Sequence, residues 1–580
     1  MKDKSINNVR ELYLRLFPAQ AFSTLTGYLS GLVNGLITGN HLSSEAMVAL
    51  GFVNPLTMIY GTLSTVVYGG AGILCGQYMG RGDSEKVDKV FSLSMVLLVA
   101  SGTLLSIASF AFANPIALLC GASGSTTADT ALYIRGLAIG IIPLLLVPCL
   151  MTFLQMCNRS NFSLLSTIAL AGFNCLFGLL NVKVSHGGIF GVGLSTSLSY
   201  YATLILIIIY FRFNKDLVHF KKDIAFSMTG SILKYGCPSA LVSLLYSIRN
   251  LIINIYALKV GGAPAVNALA ILGSCGGFFD TFNIAVASTA LMLASVFVGE
   301  RDSKSFKNLA RFAITFGVAI GFAKMIIIYI FGTKIGLLFG AEGEVVGLFT
   351  DLLRYYSWSM PINMVYVVLT NSYCAQGKVT LANVFNIITA FIVPVACIII
   401  LPKFIGITGI WLCYFLAEVI TVALMYVYLC IKKKGVANSL EDILDMSKDF
   451  SPGVRYVKSI KTIEEVIGIS KDIDELCKSN GIDKRRSYFA SLCAEEMAGN
   501  IVEHGFIKDK KENTVDVFAY IENGDVNIRF RDNCIPFNPN ERLSMGDDPI
   551  SNIGIRMVSK IAKEMNYQTT FGLNVLTIRL

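Results

Sequence analysis

Three polar side chains recur at intervals of four residues near the end of the chain. Glu496, Asn500 and His504 would lie on one face of a helix. An asparagine oxygen there can ligate Mg²⁺, which prefers oxygen ligands and bridges phosphate groups. A glutamate one turn away can activate or orient a nucleophile. The spacing therefore indicates phosphate chemistry, while His504 taken alone is more typical of a structural helix histidine.

A second group of ionisable residues lies inside long apolar runs, namely Arg249, Asp280, Lys324 and Glu418. A charge at bilayer depth is costly and normally faces a cavity or a partner. Arg249 and Asp280 fall on neighbouring predicted helices and could pair, either as a structural ion pair or as a coupling or substrate site. Glu418 is a further coupling candidate, and Lys324 could instead extend its stem towards the membrane surface.

Long apolar helices must position these charges. Hydrophobic residues make up 54% of the 580 residues and charged residues only 15%. The runs of spanning length are 17–38, 46–75, 90–112, 131–150, 162–180, 189–211, 232–258, 267–298, 309–331, 348–372, 381–401 and 407–431. We therefore expect an all-α polytopic bundle of about twelve transmembrane helices embedded in a lipid bilayer.

The loop charges predict the orientation of this bundle. Lys and Arg crowd the loops of one side, whereas the other side carries only Lys183, Lys259, Lys334 and Lys403. The positive-inside rule places the crowded side in the cytoplasm, so an even helix count leaves both termini there, in the cell membrane. Because the net charge of +9 comes from scattered loops, it does not indicate a nucleic-acid partner. The 14 cysteines show no paired spacing typical of a zinc site.

The two halves of the apolar region resemble each other at an offset of about 219 residues. The matched positions are Pro18 and Pro238, 49–50 and 268–269, 80–84 and 299–303, Arg135 and Arg354, Pro143 and Pro361, and 188–191 and 406–409. This order indicates duplication of a six-helix unit. Two even-numbered copies share one orientation, which is typical of transporters that work by alternating access. We expect an N lobe over 1–216 and a C lobe over 217–432.

Several of these residues resemble the MATE family of multidrug and toxic-compound exporters. The resemblance rests on Pro18, on the stretches 69–72 and 76–83, and on their second-half counterparts at 238–240 and 298–302. It implies antiport of small organic, often cationic, molecules against H⁺ or Na⁺. Many family members place an acid in the first helix, but 17–38 contains none here. Where others place a glutamate in the seventh helix, this chain has Tyr246, Ser247 and Arg249.

The composition changes after Lys434. A polar linker over 433–452 leads to a domain at 453–580 in which strand and helix patterns alternate. Strands are expected at 454–460, 514–522, 525–531 and 574–580, and helices at 463–480, 484–504 and 553–563. Asn523-Gly524 is a hairpin signal. We expect a small α+β domain with helices on one face of an antiparallel sheet.

The order of motifs in this domain resembles the GHKL ATP-binding fold, closest to its bacterial anti-sigma-factor serine-kinase branch. The resemblance is carried by 495–504, by 531–539 after a strand, and by 552–558 at the start of a helix. It implies ATP and Mg²⁺ as cofactors.

The resemblance also implies a role for individual residues. Asn500 would ligate Mg²⁺ and Glu496 would be the catalytic acid or base. Asp532 would accept from the exocyclic amine of adenine, Gly554 would lie at the phosphate loop, and Thr577 would touch the adenine end. The pattern departs at Cys534, Pro536 and Asn552, which stand where the family has glycines.

Two functions are consistent with these features. The first is an exporter whose ATP-binding domain regulates transport or signals to a cytoplasmic partner protein. The alternative is a membrane-anchored anti-sigma-type serine kinase whose helical bundle does not transport. A P-loop motif of the G-x-x-x-x-G-K type is absent from the sequence, so the ATP-binding domain is not predicted to be a transport motor.

Overall fold

In the computed structural model the chain forms a helical bundle followed by a small α+β domain. The structure describes residues 5–42, 44–122, 124–214, 218–446, 455–506, 513–522, 524–539, 541, 553–570 and 572–580. The hairpin dipeptide 523–524, part of the predicted linker and the loop residue Asn552 lie partly or wholly outside these ranges.

Among the residues that the structure describes, the first half of the bundle, the N lobe, consists of eight α-helices. They are α1 (Ser5–His41), α2 (Ser44–Arg81), α3 (Ser84–Ala111), α4 (Ala113–Leu119), α5 (Ser125–Ala138), α6 (Ile141–Met156), α7 (Ser160–Leu180) and α8 (Gly188–Phe213). A π-helical turn, Asn181–Ser185, extends α7. The predicted run 131–150 is divided between α5 and α6, which meet at an angle of 50°.

Within the described residues, the second half, the C lobe, also consists of eight α-helices. They are α9 (Thr229–Gly299), α10 (Ser303–Leu338), α11 (Glu344–Ala375), α12 (Val379–Ile387), α13 (Val393–Ile400), α14 (Pro402–Ile405), α15 (Ile407–Trp411) and α16 (Cys413–Lys433). Short one-turn elements, Phe226–Met228 and Ile388–Ile392, precede α9 and join α12 to α13. The long α9 contains two predicted runs, because non-helical backbone at Gly262 (φ 66°) kinks it between them.

All twelve predicted runs fall on these helices. Within the described ranges, nine helices are long and apolar enough to cross a bilayer, or ten if the bent pair α5–α6 is one span. The remaining two predicted runs lie on α1 and α11. The charged pair Asp351 and Arg354 makes α11 less apolar than its neighbours.

Corresponding helices of the two lobes begin 219 residues apart. The pairs are Ser84 and Ser303, Ser125 and Glu344, Ser160 and Val379, and Gly188 and Ile407. The turns before the first pair also match, since Asp83 caps α3 and Asp302 caps α10 through their side chains. Gly82 (φ 78°) and Arg301 (φ 55°) occupy the same left-handed position in these turns. The backbone thus repeats the duplication that the sequence predicts.

The lobes pack tightly where α2 crosses the end of α9. Gly80 and Gly299, equivalent residues of the two lobes, meet there. A Cβ on Gly80 would lie 2.2 Å from the Val296 carbonyl oxygen, and one on Gly299 would lie 2.1 Å from that of Gln77. Only glycine permits this approach. Gln77 also donates from Nε2 to the Ala375 carbonyl at 2.8 Å, so the lobes are joined at this end.

The α+β domain contains five antiparallel strands in the order β1-β2-β3-β5-β4. They are β1 (Arg455–Ile460), β2 (Val515–Glu522), β3 (Asp525–Asp532), β4 (Glu564–Thr570) and β5 (Leu573–Arg579). The helices α18 (Ile463–Ser479), α19 (Lys484–Asn500) and α20 (Ile553–Ile561) cover one face and share its apolar core. The other face lies against the bundle.

Three elements of this region differ from the sequence-based expectation. The edge strand β4 was not predicted, because Glu564–Thr570 is polar and lacks a run of β-branched residues. The helix expected to reach His504 ends at Asn500 and continues as a π-helical turn, Ile501–Gly505. The linker contains a one-turn helix, α17 (Leu440–Ile443), closed at its start by a capping box between Ser439 and Asp442.

Candidate functional site

The predicted phosphate-binding residues come together on the helix-covered face of the domain. Glu496 and Asn500 lie one turn apart on the last part of α19, both half-buried. Gly554, near the start of α20, approaches Glu496 so closely that a Cβ on it would lie 2.0 Å from Oε2. The N-terminus of α20 therefore lies directly against the Glu496 carboxylate.

Asp532 anchors a polar network at the other end of the same face. The side chain is buried at the end of β3, and Oδ1 accepts from the Cys534 N–H at 2.9 Å and from Asn574 Nδ2 at 2.8 Å. Tyr567 donates its hydroxyl hydrogen to Asn574 Oδ1 at 3.0 Å and accepts from the Phe537 N–H at 3.1 Å. These bonds fix the carboxylate in one orientation, as a buried hydrogen-bond acceptor for a base would require.

Thr577 does not belong to this face, contrary to the expectation that it touches adenine. The strands β3 and β5 pair Asp532 with Asn574 and Arg529 with Thr577. Because side chains alternate between faces, Thr577 lies on the side opposite Asp532. Its Oγ1 accepts from Arg529 Nε at 3.4 Å. Asn574 is the strand residue that contacts Asp532, and sequence reasoning missed it.

The residues fit a nucleotide with its magnesium ion. Asn500 supplies the amide oxygen that Mg²⁺ prefers, and α20 offers backbone N–H groups at its N-terminus to phosphate. Gly554 adds no side chain of its own at this helix end, where the Glu496 carboxylate lies. Among the described residues, clusters of three or more His, Cys, Asp or Glu that could hold a metal by themselves are absent.

A second polar cluster lies within the helices of the C lobe. Asp280 of α9 accepts from the Tyr356 hydroxyl of α11 at 2.9 Å and from Asn283 Nδ2 at 3.5 Å. Lys324 of α10 is buried, donates to the Phe279 carbonyl oxygen at 3.3 Å and also bonds Asn283 Oδ1. The sequence suggested that Lys324 extends towards the membrane surface. It instead joins the Asp280 turn, because that turn offers two acceptors.

Arg249 is close to this cluster but does not pair with Asp280 as the sequence suggested. The guanidinium lies 4.5 Å from the ring centre of Tyr246 and 5.3 Å from that of Tyr414. Within the described ranges, Arg249 and Asp280 do not form a salt bridge. Aromatic faces attract a cation and replace the expected carboxylate partner.

Glu418 is the second carboxylate in the C lobe. It is buried on α16, and its Oε1 accepts from Asn363 Nδ2 of α11 at 2.8 Å. Its charge lies within electrostatic range of both Arg249 and Asp280. The three sequence-predicted transport candidates therefore share one region, which four helices build.

Three contacts between described helices of the N lobe are made by uncharged side chains. Gln20 of α1 donates to Gln155 Oε1 at 2.6 Å, and Gln155 donates to Ser163 at 3.0 Å. Asn34 donates to Thr196 Oγ1 at 3.0 Å. Neutral amides and hydroxyls tie these helices together. The lobes thus share a backbone plan but differ in chemistry.

Comparisons with known proteins agree with this architecture. The MatE family model matches residues 20–180 and 238–399, and the model of the histidine kinase-like ATPase domain matches 461–580. The multidrug export protein MepA of Staphylococcus aureus (strain MSSA476) is 24% identical over 424 residues, covering 70% of this chain and 90% of that protein. The probable multidrug resistance protein YoeA of Bacillus subtilis is 22% identical over 431 residues, covering 72% of this chain and 93% of that protein.

The fold also matches solved structures. A MOP superfamily transporter from Pyrococcus furiosus superposes with a TM-score of 0.68 at 18% identity, covering 75% of this chain and 99% of that one. The two-lobed helical bundle is therefore the fold of that transporter, with the ATPase-type domain added. The chain belongs to the MatE family and also carries a histidine kinase-like ATPase domain.

Proposed function

We propose that the protein is a cation-coupled antiporter that exports small organic, drug-like compounds by alternating access. Membership of the MatE family and the export function named for MepA support drug efflux. The observation that carries the coupling proposal is the Asp280 cluster, in which a half-buried carboxylate is held by Tyr356 beside the buried cation Lys324. A carboxylate among polar groups inside a membrane bundle is suited to exchange H⁺ or Na⁺.

The cation site is proposed to lie in the C lobe and not in the first helix. Uncharged amides and hydroxyls join helices of the N lobe, whereas the C lobe offers Asp280 and Glu418. Arg249 and Lys324 nearby bring two positive charges to the same region. Binding of a cation at either carboxylate would change the balance of charge between them, and such a change can shift the preference between two conformations.

The ATPase-type domain is proposed to lie in the cytoplasm and to bind ATP with Mg²⁺. The distribution of Lys and Arg in the loops supports this orientation. Bound nucleotide would contact Asp532 at its base and the N-terminus of α20 at its phosphates, with Asn500 as an Mg²⁺ ligand. ATP, when bound, would supply an electrophilic phosphorus. Glu496, held one turn from Asn500, is placed to accept a proton from an attacking hydroxyl.

The test of transport uses proteoliposomes with the whole chain. Dye uptake driven by an H⁺ or Na⁺ gradient is compared for wild type, Asp280→Asn and Asp351→Asn. We expect Asp280→Asn to lose ion-driven uptake by at least ~10-fold, because the amide cannot carry the exchanged charge. Asp351 is an exposed carboxylate on α11 of the same lobe, so its amide variant controls for the loss of one negative charge.

Two results would overturn the proposal. Uptake by Asp280→Asn that equals wild type would remove Asp280 as the coupling group. An absence of gradient-driven uptake by wild type, across several cationic dyes, would reject the antiporter and favour a membrane-anchored serine kinase. Insertion of each variant is checked by its monodisperse elution in detergent.

A further inference from the structure

The face of the sheet opposite the helices carries charged and polar side chains that would ordinarily face water. Alternation along the strands places Asp516, Arg529, Arg531, Gln568 and Thr577 on this face. We call these five residues the bridging face. Asp516, Arg529 and Arg531 are each less than one-tenth exposed, although they carry charges. Burial of such residues requires partners, and the transporter lobes provide them.

Arg531 binds the C lobe through an ionic cluster. Its guanidinium lies 2.7 Å from Glu300 Oε2 and 3.1 Å from Asp302 Oδ2, and it is 3.1 Å from Asp516 Oδ2 on the neighbouring strand. Ser305 Oγ accepts from the same group at 3.3 Å. Burial works to lower the pKa of Arg531, but the three carboxylates outweigh it and raise that pKa.

Arg529 adds a second bond to the same turn of the C lobe. It donates to the backbone carbonyl oxygen of Glu300 at 2.9 Å. Arg301 and Glu522 form a half-exposed ion pair of 2.8 Å at the edge of the contact, which adds little because water screens it. The buried arginines therefore dominate the attachment to the C lobe.

The N lobe is held by the other side of the bridging face. Gln568 donates from Nε2 to the backbone carbonyl oxygen of Met79. A Cβ on Gly82 would lie 3.6 Å from Thr577 Oγ1, so this turn packs directly on β5. Leu573, at the start of β5, packs against the apolar core of the bundle. These contacts join β4 and β5 to the end of α2.

The two contacted turns are equivalent parts of the repeat. Met79–Gly82 and Val298–Arg301 are 219 residues apart. Each contains the glycine, Gly80 or Gly299, at which its helix crosses the other lobe. Alternating access requires the lobes to separate at this end in one of the two states. A single sheet that is bonded to both turns opposes that separation.

We propose that the bridging face is an intramolecular clamp, which holds the two lobes closed on the domain side and inhibits transport until the domain is released. The clamp as a structural device depends only on the contacts above. Its effect on transport rests on the proposed antiporter function. The charges make release an all-or-none step, because Arg531 cannot leave Glu300 and Asp302 without exposing the whole ionic cluster to water.

Hydrogen–deuterium exchange of the whole protein in nanodiscs tests the clamp without relying on transport. We compare wild type, Arg531→Gln and Arg579→Gln in peptides that cover 76–83 and 296–305. Arg579 is the matched control, because it lies on the same strand as Thr577, pairs with Asp525 at 2.7 Å and is half-exposed. We expect Arg531→Gln to raise exchange in both peptides by about tenfold or more, since removal of one partner from a buried ion cluster strongly favours opening. Arg579→Gln is expected to match wild type.

A second variant covers the case in which Arg531→Gln unfolds the domain, which faster exchange across β2 and β3 would reveal. Thr577→Trp keeps every charge and places a large ring against Gly82, so it should separate β5 from the N lobe while the strands stay protected. The clamp would be overturned if a folded Arg531→Gln variant showed the same exchange as wild type at both turns. If Arg531→Gln unfolds the domain, the same result in Thr577→Trp would overturn it. Equal acceleration in Arg579→Gln would overturn it as well. Failure of wild type to move dye, with accelerated exchange in Arg531→Gln, would reject only the antiporter.

Discussion

Neighbouring residues of β3 contact two different surfaces. Asp532 faces the helices and bonds Asn574, whereas Arg531 faces the bundle and bonds Glu300. The alternation of a strand thus places a nucleotide-type acceptor and an interdomain cation one residue apart. The end of β3 is therefore the shortest covalent connection between the two surfaces. A change that moves it acts on both.

Substitutions on the two faces of β5 should affect nucleotide binding differently. Asn574→Ala removes the donor that orients Asp532, so we expect affinity for a fluorescent ATP analogue to fall by about tenfold, the effect of roughly 1.4 kcal/mol. Thr577→Ala alters only the bundle-facing side and is expected to bind as wild type does. Fluorescence titration of the whole protein with Mg²⁺ measures both. The reverse ranking would mean that the strand register places the adenine end elsewhere.

At the residue scale, the sequence predicted which groups share one helix face better than which groups meet between elements. Glu496 and Asn500 lie on one helix face because a spacing of four residues is sufficient to establish it. Thr577 lies on the face opposite Asp532, which the sequence did not reveal because strand parity depends on where β5 begins, and a shift of one residue reverses every side chain. Arg249 was expected beside Asp280 on helix adjacency alone, which does not determine side-chain direction.

At the scale of elements, the linker is fixed to the C lobe instead of crossing freely to the domain. Asp445, just after α17, lies 2.8 Å from Lys378 and 2.7 Å from Lys432. Tyr373 donates its hydroxyl hydrogen to the Ile443 carbonyl oxygen at 2.8 Å, and the Leu444 side chain is fully buried. A fixed linker limits how far the domain can move after release from the bridging contacts.

Removal of the Asp445 carboxylate should loosen this attachment. Asp445→Asn weakens three charge-assisted hydrogen bonds from Lys378 and Lys432. We expect docking of residues 440–446 to weaken by ~1–3 kcal/mol, towards the lower end because Lys432 is half-exposed. Hydrogen exchange of that peptide measures the change. Glu441→Gln is the matched control, since Glu441 lies on the same turn and its ion pair with Lys307 is exposed, so that water screens it. Equal protection in Asp445→Asn and wild type would show that Leu444 alone holds the linker.

The same attachment should depend on pH in one direction. The hydrogen bond from Lys433 lowers the pKa of Asp442 to about 2. Burial works to raise the pKa of Asp445, but Lys378 and Lys432 outweigh it and lower that pKa. Since both folded values lie below the ordinary ~3.9, docking is fully stabilised above about pH 4 and weakens as the pH falls through the folded values. Exchange of 440–446, corrected for its intrinsic pH dependence, should therefore rise only in acid. Weakening between about pH 5 and 8 would contradict these assignments.

The elements that the sequence missed share a physical reason. The helix α17 is a single turn and the strand β4 has a mostly polar sequence, and each also bonds the bundle, through Gln568 of β4 or through Asp445 just after α17. Periodicity identifies elements that bury one apolar face within their own domain. It does not identify elements whose partners lie hundreds of residues away.

At the scale of the whole molecule, duplication explains why one small sheet can contact both lobes. The sequence repeat predicted equivalent turns at 80–84 and 299–303, and the structure places both turns at one end of the bundle. The chemistry of the turns has diverged, because Arg81 of the N lobe stands where the C lobe has Glu300. The ionic part of the contact is therefore confined to one lobe, and the other lobe is held through its backbone. The docking could not be predicted from the sequence, since no local pattern marks Arg531 as an interdomain residue.

The clamp and the antiporter together predict that weakening the contact accelerates transport. In cells loaded with a fluorescent cationic dye, Arg531→Gln should increase the efflux rate per inserted protein by about threefold or more. A change of about 1.4 kcal/mol shifts the ratio of closed to open states tenfold, and the remaining steps of the cycle limit how much of this appears as rate. Arg579→Gln should leave efflux unchanged. Asp280→Asn in the Arg531→Gln background should abolish the gain, because faster opening is useful only while the coupling carboxylate is present. A folded Arg531→Gln protein that exports dye more slowly than wild type would mean that the docked domain supports transport, and the inhibitory role of the bridging face would be rejected.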